Sequence, residues 1–335
     1  MSSRLFLPDE KIIHVPALVE QLHSPDTFTL VCQGGGISGG AYIVGVMKAF
    51  REHDILQYID SVYLSSAAVP AVTYTLMDQW EDLAETWVNE VTSNDVVRFL
   101  NVFNGRVVNI ESLVDKHLHR YPIDQKDFLD HPVDINFGVS EIVNSTDPNS
   151  IFDKKLEHTF LSNQFAFNPL DMIKAAISIP VLYGGNVSLG GRTYLDGGIL
   201  SQLPFQEVPL NKKMVTVMTQ SYSQPLTKAS LGERAVLWYD EKIQRTPNFI
   251  MDAIKKRGDV LRDEYHDLIL RHGKGQPGMI IRPYERLPSF ICDNSSQRVQ
   301  KTIHKGYMDG LNSISDIYSL LEFGSEQKEI KKIRI

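Results

Sequence analysis

The chain has 335 residues, enough to bury a full core as one large α/β domain or two small ones. Its formal net charge of −7 argues against nucleic acid as the main partner, because neutralising phosphates needs a basic face. Two cysteines, Cys32 and Cys292, cannot build a disulfide framework, and no run approaches the ~18 apolar residues of a membrane span.

Residues 1–25 read as an arm over the domain surface, with Pro8, Pro16 and Pro25 against a long helix. They lack the continuous apolar core of a secretory signal. The expected setting is therefore cytoplasmic and soluble; a protein exported without a cleaved signal would look the same. Residues 28–33 form a short apolar run that stops at Gly34, Gly35 and Gly36, as a buried parallel strand does when it feeds a tight loop. Cys32 near the end of that run is expected to be an inert core thiol. Ile43, Val46, Met47 and Phe50 then recur at helical spacing.

Three glycines before a helix let the chain turn tightly and present bare N–H groups, next to the positive end of the helix dipole. Such a loop suits an anion. Gly34, Gly36 and Gly39 fit a dinucleotide-type G-x-G-x-x-G, with Asp54 or Asp60 as a ribose-binding acid. An oxyanion hole and a plain structural turn fit the same residues. No Walker lysine follows.

A second strand is expected at residues 61–65, then a run of small residues and a helix from about Ala67, with Pro70 in its first turn. Trp80, Leu83, Trp87 and Val91 repeat at helical spacing as a core stripe. Residues 93–131 are polar and less regular, with a helix expected over 110–118. His117 and His119 there lack the i, i+4 spacing of two ligands on one face. Val133, Ile135, Phe137 and Val139 alternate with smaller or polar residues, predicting a strand with one face buried. Asn168-Pro169 is a helix start, with Leu170, Ile173 and Ile177 on the buried face until Pro180.

Asp196-Gly197 between apolar runs is by itself a hairpin signal, which would make Asp196 a turn residue. Strands are expected at 214–219 and 278–283, with helices over 228–272 broken near Pro247. Val299, Ile303, Tyr307 and Leu311 mark one face of a last long helix. The basic tail could touch an anionic membrane, although a solvated end is the simpler reading. Alternating strands and helices predict one doubly wound α/β domain.

The glycine turn, a serine at a strand-to-helix turn and a distant Asp-Gly-Gly together resemble the patatin-like phospholipase family. The residues that carry the resemblance are Gly34-Gly35-Gly36-Ile37-Ser38-Gly39, Ser65-Ser66-Ala67-Ala68, and Ala175 to Pro180 leading to Asp196-Gly197-Gly198. It implies a three-layer α/β/α fold with a mostly parallel sheet. The core would span residues 26–220, and residues 221–335 would pack on the same domain as an extension.

The resemblance also implies an ester hydrolase with a Ser–Asp dyad and no histidine. Ser66 would be the nucleophile, Asp196 its base, and the N–H groups of Gly34, Gly35 and Gly36 the oxyanion hole, where one donor is worth roughly 3–4 kcal/mol. Ser65 is the alternative nucleophile. Neither a cofactor nor a metal is expected; the implied partner is a lipid or phospholipid, with peripheral membrane contact.

Two departures stand out. Leu64 and Ala68 replace the glycines of a G-x-S-x-G elbow, and Ser38 replaces the basic residue of the glycine block. They support a second expectation, a protein of weak or lost catalysis that binds lipid or a protein partner. A nucleotide-binding protein is a third, disfavoured because a dinucleotide fold has no use for Asp196-Gly197-Gly198.

Overall fold

The computed structural model describes residues 27–93, 96, 120–145, 153–180, 185–223 and 246–322. The expected N-terminal arm, the helix at 110–118, His117 and His119, the first part of the 228–272 region and the basic tail lie outside them. Among the described residues, eight strands form one sheet.

Its centre is β1 (Phe28–Cys32), buried on every residue. Helix α1 (Gly36–Glu52) leads to β2 (Ile59–Ser65), which pairs parallel with β1. Helices α2 (Ala68–Leu76) and α3 (Trp80–Glu85) follow, the latter continued by a π-helical turn over Thr86–Glu90. After the short α4 (Gln125–Leu129), β3 (Asp134–Asn144) pairs parallel with β2, and β4 (Lys154–Ser162) pairs antiparallel with β3.

Helix α5 (Pro169–Ala176) is capped by the Asn168 side chain, which accepts from the Leu170 N–H at 2.9 Å. A hairpin of β5 (Val187–Leu189) and β6 (Arg192–Asp196) then docks antiparallel on β3. The chain returns to the other side of β1 as β7 (Met214–Val217) and, after the long α6 (Asn248–Gly273), as β8 (Gly278–Ile281), both parallel. Helices α7 (Ser296–Asn312) and α8 (Ile314–Glu322) complete the described chain.

Helices cover both faces of the sheet. Phe28, Leu30 and Cys32 pack with α1 and α2, while Val31, between them, packs with Leu261 and Leu268 of α6. This is the period-2 alternation of a strand buried on two sides. Cys32 is fully buried, and burial pushes its thiol pKa up, so it behaves as core.

Two expectations about buried faces change. β3 is buried on both faces from Ile135 to Ser140, because β2, β4 and β6 all pair with it beneath helices. On α7 the fully covered positions are Val299, Thr302, Gly306 and Gly310, not the larger residues one position on. The reason is backbone contact with α1. A Cβ on Gly306 would lie 2.0 Å from the Tyr42 carbonyl oxygen, and one on Gly45 would lie 2.0 Å from that of Ile303. Only glycines allow so close a crossing, and the neighbouring Ile303 and Tyr307 flank it half-buried.

The strand order β3-β2-β1-β7-β8 reverses direction between β1 and β7. In open α/β sheets, binding sites lie beyond the carboxyl ends of strands at such a switch.

Candidate active site

Three loops meet at those carboxyl ends. After β2, the chain turns at Ser66 with φ +54°, a left-handed conformation that costs a non-glycine residue of order 1–3 kcal/mol. The Ser66 carbonyl accepts from the Val69 N–H at 2.9 Å, and α2 begins. A serine placed on so sharp a strand-to-helix turn lifts its hydroxyl out of the sheet.

The hydroxyl meets Asp196. Ser66 Oγ donates to Asp196 Oδ2 at 2.6 Å, joining residues 130 positions apart. Asp196 does not sit in a hairpin turn. It ends β6 and caps a 3-10 turn over Gly197–Ile199, its Oδ1 accepting from the Gly198 N–H at 2.7 Å. The hairpin lies earlier, at Gly190-Gly191, where both φ values are positive. Asp196 is held at its backbone as well. Its N–H donates to the Ser178 carbonyl at 2.9 Å and its carbonyl accepts from Ser140 Oγ at 3.0 Å. The Ala175–Pro180 block and the Asp-Gly-Gly are therefore one unit in space.

Each glycine after Asp196 has its own neighbour. A Cβ on Gly197 would fall 2.3 Å from the Gly138 backbone, and one on Gly198 would lie 3.0 Å from Asp196 Oδ1. β3 runs between the two halves of the pair, with Gly138 beside Ser65 and Val139 beside Asp196.

Burial dominates the electrostatics of Asp196. The side chain is fully enclosed, which pushes its pKa up to about 6 against the pull of the Ser66 hydroxyl, the Gly198 N–H and the Arg257 charge. A carboxylate raised this far is a stronger base than an ordinary one and remains ionised at neutral pH.

The glycine turn packs against the elbow. A Cβ on Gly34 would lie 2.6 Å from Ser66 Cβ, one on Gly35 2.7 Å from Thr219 Oγ1, and one on Gly36 2.4 Å from the Ile291 carbonyl oxygen. Gly35 and Gly36 also have positive φ, at 133° and 60°. Among the described residues, no acceptor takes the amide hydrogens of these three glycines, whereas the Gln33 and Ile37 amides are bonded to Val217 and Ile291 carbonyls at 2.9 Å. Free N–H groups at the head of α1, beside a serine hydroxyl, form an anion-receptive surface.

The two departures from the family pattern are accommodated. Leu64 is fully buried in the core on β2, which stays in register with Cys32 of β1 and Phe137 of β3 at that position. Its side chain fills core volume. Leu64→Gly should therefore cost about 3–5 kcal/mol of stability, read as a lower Tm, with no gain in kcat. A gain would show that the leucine distorts the elbow. Ser38 turns inward, its Oγ donating to the Ser289 carbonyl at 3.0 Å.

Ser65 is fully buried and donates to the Ser201 carbonyl at 3.1 Å, so its hydroxyl is committed elsewhere. That contact leads to a residue the sequence did not single out. Glu264 of α6 accepts from Ser201 Oγ at 2.5 Å and from the Gln202 and Leu203 N–H groups at 3.0 Å each. It anchors the loop after Asp196 from beneath. Ile179, near the end of the Ala175–Pro180 block, is half-buried. The adjoining Pro180 lines a cleft of mixed polarity with Lys154, Asn186, Leu195, Thr246 and Phe249.

Residues 30–209 match the model of a family described as patatin-like phospholipase. The chain is 27% identical over 213 residues to the uncharacterized protein YjjU of Escherichia coli strain K12, a match covering 60% of this chain and 55% of that protein. The chain thus spans about half the length of the curated relative it matches. Among solved structures, the crystal structure of VipD from Legionella pneumophila aligns with a TM-score of 0.43 at 12% identity, over 89% of this chain and 67% of that one.

Proposed function

Since the chain belongs to the patatin-like phospholipase family, we propose that it is a serine acyl-ester hydrolase acting on lipids. The observation that carries this reading is the 2.6 Å bond from Ser66 Oγ to Asp196 Oδ2, made at a turn with φ +54°. In this reading Ser66 Oγ attacks the acyl carbonyl carbon while its proton passes to Asp196 Oδ2. The carbonyl electrons move to oxygen, and the amides of Gly34, Gly35 and Gly36 hold the oxyanion. Collapse breaks the ester C–O bond, and Asp196 returns its proton to the departing alcohol. Water then attacks the acyl-serine, again giving a proton to Asp196. The fatty acid leaves as Ser66 recovers its proton.

The lipid substrate class in this reading rests on the family membership. A phospholipid substrate would bring the protein to a membrane surface. No described helix is long and apolar enough to cross one. The second reading, lipid or partner binding without turnover, rests on the altered elbow. The packed Leu64 and the formed Ser–Asp bond favour the active reading over it.

The test is reaction with a fluorophosphonate probe followed by peptide mapping. Ser66 should carry the label, and Ser66→Ala should not be labelled within the same peptide. Label on Ser65, or on no serine at this turn, would remove the assignment.

A further inference from the structure

We propose that Thr219 is a positioning residue that aims the Gly35 N–H at the developing oxyanion. The inference rests on the hydrolase reading and names a part of its machinery outside the family-matched stretch.

Thr219 follows β7, across the switch point from the glycine turn. Its Oγ1 donates to the Gly34 carbonyl at 2.5 Å. Its own N–H donates to Gln33 Oε1 at 2.9 Å, and the same oxygen accepts from the Gln220 N–H at 3.3 Å. Gln33 and Thr219 are both buried, at 3% and 7% exposure, so water competes weakly for these bonds. Together they clamp the end of β1 to the end of β7.

The described backbone contains no cis peptide, so the Gly34 C=O and the Gly35 N–H point in opposite directions across one rigid plane. A hydroxyl that holds the carbonyl therefore also fixes the amide. Thr219 and Ser66 bracket the turn: a Cβ on Gly35 would meet Thr219 Oγ1, and a Cβ on Gly34 would meet Ser66 Cβ. With its carbonyl held by Thr219, the plane turns its N–H away from Thr219. Gly35, at φ 133°, has the backbone freedom to let this plane rotate if it is not held. An oxyanion donor must be pre-aimed to be useful, because reorienting it during the reaction forfeits the advantage.

The experiment compares wild type, Thr219→Val, Thr219→Ala and Thr219→Ser on a soluble nitrophenyl ester. Rates are expressed per active serine, titrated with a fluorophosphonate, so any misfolded fraction drops out. Valine keeps the shape and loses the hydroxyl; alanine adds no bulk if valine folds poorly. Both should lower kcat about 10- to 100-fold with KM within about twofold. Inhibition by an alkyl trifluoromethyl ketone, whose serine adduct carries an oxyanion, should weaken in parallel. Serine should restore both. Equal kcat and equal ketone inhibition in the valine and alanine variants, with Ser66→Ala inactive, would overturn this inference alone. Turnover surviving in Ser66→Ala would overturn it together with the hydrolase reading.

Discussion

Ser66→Ala and Asp196→Asn should each lower release of fatty acid from a lipid or nitrophenyl ester by about a thousandfold or more. The two losses should not add, because in the proposed mechanism nucleophile and base serve a single proton transfer. The double variant should therefore be about as slow as either single one. A rate-limited assay with purified variants measures this directly, and unchanged turnover in both would dismiss the dyad. Asparagine is the more telling substitution. Its amide oxygen can still accept from the Gly198 N–H, and its NH2 can face Ser66 Oγ, so the shape is preserved while the base is lost.

A stability gain should accompany that loss. Burial raises the pKa of Asp196 in the folded protein, so keeping it ionised is unfavourable to folding. The sign follows from the direction of the shift. The penalty is absent below the ordinary carboxylate pKa, grows as pH rises to about 6, and is constant above that. Asp196→Asn should therefore unfold at higher Tm than wild type at pH 7, by up to about 3 kcal/mol, and show no advantage near pH 3. A variant that is inactive yet more stable is the signature of a carboxylate held in an unfavourable place for chemistry.

The pH dependence of turnover is the second large effect. In the proposed mechanism only ionised Asp196 can take the Ser66 proton, and burial pushes its pKa up to about 6. kcat/KM should be level above neutrality and fall about tenfold per unit below pH 6. An ordinary surface carboxylate would keep the enzyme active down to about pH 4. A profile flat from pH 7 to pH 4.5 would mean that another group accepts the proton.

Much of the fold was legible because its signals are local. The apolar run of β1 ends at the glycines as expected, and the Asn168 cap and the α1 periodicity need only neighbours a few residues away. The Ser66 and Asp196 assignments came from family resemblance; their separation along the chain carries no local signal. What stayed hidden depends on partners distant in sequence. Glu264 lies in the run Arg262-Asp-Glu-Tyr-His-Asp267, which reads as a solvated helix face, yet it is 6% exposed beneath Ser201. Thr219 is an unremarkable strand-end threonine until Gly34 is placed beside it. On α7 periodicity finds the buried Val299 but then favours large apolar residues, whereas a backbone-to-backbone crossing selects glycine. Asp196-Gly197 looked like a hairpin since the steric demand on Gly197 comes from Gly138, on another strand.

The family-matched stretch ends at residue 209, but Gly36 is roofed by Ile291, Gly34 is gripped by Thr219, and the loop after Asp196 stands on Glu264. Transplanting only residues 30–209 into another scaffold would carry over Ser66 and Asp196 without the struts that fix their angles. Laboratory evolution toward new esters should accordingly find useful changes on β7, α6 and the 289–291 loop, where aim can be adjusted without altering the chemistry.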